Sequence, residues 1–434
     1  IGNGIAGITT ARHVRKQENK KKITVISAET DHFFSRTALM YIYMGHMRYK
    51  DTKPYEDYFW DKNRIDLVRG YVKSVDFDSQ TLHLENTTIA YDKLVIATGS
   101  TPNKFGWKGQ DLPGVQGLYS MQDLEALEES TAKDQVKRAV IVGGGLIGVE
   151  FAEMLISRGI KVTFLVRENR FWGGVLPIEE GGMIAEHMIK DHHVDLRLEE
   201  ELGEVIEGEN GRACAILTKK GERIDCELVG LTAGVHPNVD FLKETKLEIG
   251  RGIKVNKFLE TNMPNVYAAG DCAEVQETVP GRRPIEAVWY VGRMMGETLG
   301  RTLTGNKMAY EPGVWFNSAK FMDVEYQTYG NVLANEQDDE TTFFWKHPTK
   351  HISFRAVYDS NTKALNGINN FGLRLRHKIC DKWIKEKTHM DKVMVELKDA
   401  NFDPEFFKPY EEEIVAQYNK ENGTSLKVKK KNLF

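Results

Sequence analysis

Apolar positions along this chain switch between two periods, and the switches mark its elements. Residues 8–16 carry apolar and small side chains at helical spacing. Residues 22–27 form a short apolar run of the kind buried on both faces of a parallel sheet. A comparable run ends at 91–99. The alternation restarts near 117 and continues to about 237, with strands predicted at 138–142 and 161–166. The run at 264–271 ends on a glycine and a carboxylate, and a long helix is predicted over 285–304. Strand, helix and strand without an intervening hairpin turn predict parallel sheets. Beyond Trp315 the pattern changes, with a strand at 353–358 and an amphipathic helix over 373–387. Leu373, His377, Cys380 and Ile384 share one face of that helix, which makes Cys380 a core residue. The basic tail at 427–431 reads as a solvated terminus.

Two of the helices follow a Gly-x-Gly-x-x-Gly loop: Gly2, Gly4 and Gly7 in the first unit, Gly143, Gly145 and Gly148 in the second. The first glycine permits a tight turn from strand to helix. The second lets the backbone approach a pyrophosphate, and the third lets helix pack closely on strand. A helix N-terminus then offers unpaired N–H groups to phosphate. Glu29 follows the next strand of the first unit, where a carboxylate accepts both ribose hydroxyls. In the second unit the equivalent strand ends Val166-Arg167-Glu168. The carboxylate favours NADH, the arginine favours the extra phosphate of NADPH, and a salt bridge between the two is the plainer alternative. Two dinucleotides held by one chain imply electron transfer.

Composition narrows the picture. With 41% hydrophobic and 28% charged residues in 434, the chain is expected to form two to four globular domains. A formal net charge of −4 argues against nucleic acid as an obligate partner. No apolar run is long enough to predict a membrane span. The numbering begins almost inside a glycine motif, so a few residues of the first strand are expected to precede Ile1. Four scattered cysteines without a C-x-x-C pair exclude a disulfide scaffold and zinc ribbons, and a reducing cytoplasm fits. His192 and His193, flanked by Asp191 and Asp195, lack a further spaced ligand and read as a polar turn; no metal is expected.

The two loops, Ala97-Thr98-Gly99-Ser100-Thr101-Pro102, Ala233-Gly234-Val235-His236-Pro237-Asn238 and Ala269-Gly270-Asp271 stand in the order seen in FAD-dependent pyridine-nucleotide reductases, which the chain resembles over about residues 1–315. Phe34-Ser35-Arg36-Thr37-Ala38-Leu39 looks most like the rubredoxin reductases and the flavin part of NAD(P)H nitrite reductases. The resemblance implies an α/β fold. Two Rossmann-like domains would bind FAD (1–115 and 246–315) and NAD(P)H (116–245), and an α+β C-terminal interface domain (316–434) would follow. It also allows a homodimer.

On this resemblance FAD is contacted by Gly2, Gly4, Gly7, Glu29, Val72, Thr98 and Gly99, with Arg36 near its pyrophosphate and Asp271 on its ribityl chain. The helix starting near Ile285–Ala287 would aim its positive end at the flavin. NADH or NADPH would lie on Gly143, Gly145, Leu146, Ile147, Gly148, Arg167, Glu168 and Gly234. Glu150 would lie close to the contact between flavin and nicotinamide, with its lysine partner in doubt because Tyr41 holds that place. Related disulfide reductases carry a cysteine pair beside the flavin, and related oxidases one cysteine near Ser35-Arg36 and a histidine at Ile5; this chain has neither. The expected activity is therefore NAD(P)H-driven reduction of FAD and transfer onward to a small redox protein of the rubredoxin kind. A flavin-bound redox sensor, or the flavin subunit of a nitrite-reductase-like complex, is the alternative.

Overall fold

The computed structural model describes residues 1–132, 135–402, 406 and 408–429; Lys430 and Lys431 of the basic tail lie outside them. Its first layer is a parallel sheet. The Ile23–Ser27 strand pairs with Ile65–Arg69, and Leu94–Ile96 pairs with Val266–Ala268. The Ile1–Gly2 backbone joins the two pairs: Gly2 N–H donates to the Ile26 carbonyl at 2.8 Å and Ala97 N–H to the Ile1 carbonyl at 2.8 Å. The Ile5–Gln17 helix therefore leaves the middle of this sheet. Its start precedes the expected residue 8 by three positions, because the glycine loop itself forms the entry to the helix.

This helix packs on the Trp289–Thr302 helix along Gly292, Gly296 and Gly300. A side chain at Gly296 would meet the Ala6 carbonyl at 2.7 Å, and one at Gly300 would meet His13 Cβ at 2.2 Å. Glycine at every fourth position thus makes a flat seam for close helix contact. A three-stranded antiparallel sheet, Val72–Asp76, Thr81–Leu84 and Thr88–Ala90, shares the same core.

The second layer is a five-stranded parallel sheet in the spatial order Asp195–Leu198, Lys161–Val166, Arg138–Val142, Leu228–Leu231, Val115–Gln116. Its three central strands are largely buried, which is why they read as continuous apolar runs, whereas the edge strand Asp195–Leu198 is mostly exposed. A small antiparallel sheet, Leu202–Glu207, Ala213–Thr218 and Arg223–Asp225, is attached to it. The chain passes between the two layers through paired antiparallel segments, Ser100–Pro102 and Val235–Pro237. The third unit is an antiparallel sheet ordered Phe316–Phe321, Val324–Gly330, Leu365–Phe371, Ser353–Asp359, Glu340–Lys346, sharing a core with the helices His377–Lys385, Met390–Ala400 and Glu411–Asn422. The fold is α/β, as expected, and among the described residues no helix is long and apolar enough to cross a membrane.

Two further helices differ from expectation. The helix expected from 285 begins at Trp289, so Ala287 lies in the approach to it and not in its first turn. The reason is upstream: Arg282 forms a buried, bidentate ion pair with Glu286, and its Nη1 donates to the Pro312 carbonyl at 2.7 Å. Holding Glu286 in that pair keeps residues 282–286 out of the helix, and Pro284 has no N–H to give. The helix expected over 373–387 is confined to His377–Lys385. Cys380 is fully buried there beside Trp383, with Leu373 and Ile384 partly buried against the same core, while His377 is exposed against Phe316.

Candidate active site

Both glycine loops sit where a parallel strand feeds a helix between two neighbouring strands, the crevice in which open α/β sheets hold ligands. Gly2 has φ +104° and Gly143 φ +113°, which L side chains rarely adopt. A Cβ on Gly2 would meet the Ala97 carbonyl at 2.1 Å, and one on Gly7 the Gly2 carbonyl at 2.1 Å. In the second loop a Cβ on Gly148 would meet the Gly143 carbonyl at 2.5 Å. The middle glycines behave differently: around Gly4 and Gly145 no protein atom lies within 4 Å of the Cβ position. Both are helix N-caps, and no side chain caps either helix. Two open cradles, each lined by free N–H groups, fit two pyrophosphates. Leu146 and Ile147 form the first turn of the second helix, half-buried.

Around the first loop a polar cluster converges. Arg36 donates from Nη1 to Glu29 Oε1 at 2.8 Å and from Nη2 to Oε2 at 2.5 Å, and also to the Tyr119 carbonyl at 2.5 Å. Its guanidinium lies over the Tyr119 ring at 4.6 Å. Met121 N–H donates to Glu29 at 2.9 Å. The Ser100 hydroxyl donates to Asp271 at 3.0 Å, and Ser100 N–H to the Tyr119 hydroxyl at 2.9 Å. Burial pushes the Asp271 carboxyl above its ordinary range, against the pull of Ser100 and Arg36. Glu29 and Arg36, read separately from the sequence, are thus brought onto one another. Ser100 and Tyr119, which sequence reasoning did not single out, tie the cluster to Asp271.

The other expected contacts flank this cluster. Thr98 donates to the Asn238 carbonyl at 2.7 Å, and Gly99 has φ +69° under the Tyr119 hydroxyl. Val72 is buried at the start of its strand, in the core behind the first sheet. Cys272, beside Asp271, is fully buried, and its thiol donates to the Ile96 carbonyl at 3.4 Å.

At the second loop the ribose end is a plain surface pair: Arg167 Nε donates to Glu168 Oε1 at 2.8 Å, and both side chains are well exposed. Gly234, with φ +85°, lies across from Asn103, whose amide donates to the Ala233 carbonyl at 3.1 Å.

Glu150 sits one turn into the second helix, and burial, then the like charge of Glu153, pushes its carboxyl up to about 7. Lys320 pairs with Glu153 at 2.7 Å, and among the described residues no ion pair reaches Glu150. Tyr41 stacks on His46 with ring centroids 6.2 Å apart.

The polar turn around His192 is richer than its sequence. The His187 and His192 rings meet Asp323, and Asp191 meets His187 and His351. The further donor groups, Asp323 and His351, come from more than a hundred positions away, where no spacing argument reaches.

Two glycine loops, two parallel sheets and a ribbon between them define a protein built to hold two dinucleotides side by side. Residues 1–296 match the family described as pyridine nucleotide-disulphide oxidoreductase, and the chain belongs to that family. An NAD(P)H sulfur oxidoreductase (CoA-dependent) of Pyrococcus abyssi is 30% identical, over 87% of this chain and 88% of that protein. A rubredoxin-NAD(+) reductase of Acinetobacter baylyi is 30% identical, over 70% of this chain and 77% of its own length. A NAD-dependent persulfide reductase from A. fulgidus superposes with a TM-score of 0.84 at 22% identity, over 97% of this chain and 83% of that one, and so shares the fold. The protein is an FAD-dependent NAD(P)H oxidoreductase.

Proposed function

We propose that this chain takes a hydride from NAD(P)H into FAD and releases the electrons to a small one-electron protein of the rubredoxin kind, without a redox cysteine. The observation that carries this reading is the segment after Phe34. Ser35 and Arg36 stand there, Arg36 is committed to Glu29, and the first cysteine in the sequence is Cys214. Cys226, Cys272 and Cys380 are buried, and burial pushes each thiol up, away from the reactive thiolate.

The proposed division is 1–115 with 246–315 for FAD, 116–245 for NAD(P)H, and 316–434 for the interface unit. In the first unit the N–H groups above Gly4 would hold the pyrophosphate, Glu29 the ribose, and Asp271 the ribityl chain; Arg36, donating to both Glu29 oxygens, orients that carboxylate. In the second, the N–H groups above Gly145 hold the pyrophosphate of NAD(P)H, and Arg167 and Glu168 read its ribose. Bound flavin supplies the capacity to accept two electrons together and release them singly. Glu150, whose carboxyl is pushed up to about 7 by burial, would put no negative charge beside the contact between flavin and nicotinamide below that pH.

The sulfur oxidoreductase of Pyrococcus abyssi matches over most of both chains, which makes a persulfide the second acceptor to test. Protein reduced anaerobically with NADH is mixed with oxidised rubredoxin or with CoA persulfide, and flavin reoxidation is followed. Fast reoxidation by rubredoxin alone is expected. Reoxidation by the persulfide alone replaces the acceptor, and slow reoxidation by both supports a sensor instead.

A further inference from the structure

Away from the glycine loops, three histidines and two aspartates from three parts of the chain meet at one point. His187 belongs to the last turn of the Ile178–Lys190 helix, and Asp191 and His192 follow it. Asp323 lies in the turn between the first two strands of the C-terminal sheet, and His351 immediately before its Ser353–Asp359 strand. The His187 side chain is only 4% exposed, whereas that of Asp323 is 73% exposed. The cluster therefore has a buried wall and an open side.

We propose that His187, His192 and Asp323 bind a divalent transition-metal ion of the zinc class, which clamps the NAD(P)H-binding unit to the C-terminal unit. His187 Nε2 and His192 Nε2 are 3.2 Å apart, and His192 Nε2 and Asp323 Oδ1 are 3.1 Å apart. A tetrahedral ion with bonds of about 2.0–2.1 Å separates its ligand atoms by roughly 3.3 Å, so two of the three edges already have the right length. The third edge, His187 Nε2 to Asp323 Oδ1, is 2.5 Å and must open, which the exposed turn at Asp323 permits. The ion would replace the protons that otherwise sit between these atoms.

The other three groups supply what such a ligand needs behind it. Asp191 Oδ2 lies 2.8 Å from His187 Nδ1, the carboxylate–histidine arrangement that fixes a ligating ring with its Nε2 lone pair outward. His351 Nε2 meets the same carboxylate at 2.8 Å and holds it in place. A second ion among His187, Asp191 and His351 would require both ring protons of His187 to leave at once, so this trio serves as support. The Ile178–Lys190 helix directs its C-terminal end here, and that end favours a cation. Two imidazoles with one carboxylate select zinc, cobalt or nickel over magnesium or calcium. A fourth position remains on the exposed side for water.

The test uses the full-length, FAD-loaded protein, stripped with a chelator and titrated with Zn²⁺ against a chromophoric competitor. One Zn²⁺ per chain is expected, with a Kd of about 1 μM or tighter. His192→Ala and Asp323→Ala, both on the accessible side, should each weaken binding at least about 100-fold, and Asp191→Asn about tenfold. His193→Ala, on the same turn but outside the cluster, should change nothing. Added Co²⁺ should give the visible bands of a four-coordinate site in the parent protein and not in His192→Ala. Absence of stoichiometric binding, or equal affinity in the parent, His192→Ala and Asp323→Ala, overturns the site. Unchanged affinity in Asp191→Asn overturns the supporting role given to that carboxylate.

Discussion

The two glycine loops share a backbone plan and differ in what surrounds them. At the first, Glu29, Arg36, Ser100, Tyr119 and Asp271 are joined in one partly buried hydrogen-bonded cluster. At the second, the matching strand end carries only the exposed pair of Arg167 and Glu168. Buried charge-assisted bonds hold a polar group in one geometry, whereas an exposed pair is worth about 1 kcal/mol or less and rearranges freely. On the proposed assignment of FAD to the first loop and NAD(P)H to the second, that difference matches a cofactor that stays and a coenzyme that exchanges at every turnover. The lesson is that the loop motif marks a dinucleotide, and the shell around it sets how long the dinucleotide remains.

The sharpest way to break the comparison lies within the first loop. Gly7→Ala places a Cβ against the Gly2 carbonyl, with no flexible side chain to give way, and should cost about 3 kcal/mol or more. The expected protein is insoluble, or flavin-free with a much lowered Tm. Gly4→Ala places its Cβ in open space, so the apoprotein should keep its Tm while FAD affinity falls about 100-fold, near 2.7 kcal/mol. Thermal unfolding of the apoprotein and flavin titration separate the two. Equal Tm losses would show that Gly4 faces protein and not cofactor.

Glu150 tests the boundary between the two sites. Burial raises its carboxyl from the ordinary 4.5 to about 7, so the folded state holds the extra proton. Its contribution to stability is present below about pH 4.5, declines as pH rises through that window, and is gone above about pH 7. Glu150→Gln should therefore stabilise the protein by up to about 3 kcal/mol at pH 8 and change little at pH 4.5. Glu180, also raised to about 7 by burial, titrates over the same window, so part of the slope should survive. Chemical unfolding at both pH values is the measurement, and an equal effect at both would refute the assignment.

The smallest expected effect is at the exposed pair. NADH should be preferred about tenfold, or 1.4 kcal/mol. Glu168→Gln should move the ratio of kcat/KM values toward NADPH, and Arg167→Ala toward NADH. If neither variant shifts the ratio more than twofold, this strand end does not read the ribose.

What the sequence showed plainly were features dictated by backbone geometry. Gly2, Gly7, Gly143 and Gly148 are required where a side chain would strike a carbonyl, and the buried parallel strands are unbroken apolar runs. Gly292, Gly296 and Gly300, a glycine every fourth residue, carry an equally legible signal. Hidden were features settled by tertiary pairing. The start of the Trp289–Thr302 helix depends on Arg282 finding Glu286, and Arg36 turned out to serve Glu29 directly. The histidine cluster needed Asp323 and His351, which no local pattern connects to His187.

The central claim is that flavin is the sole two-electron centre of the chain. Anaerobic reductive titration of the purified holoprotein with dithionite measures this without any acceptor. Full bleaching at two electrons per bound FAD, with no lag, is the predicted result. Uptake of four electrons per FAD would reveal a thiol-based centre and contradict the account, with Cys272, beside Asp271, the first residue to replace.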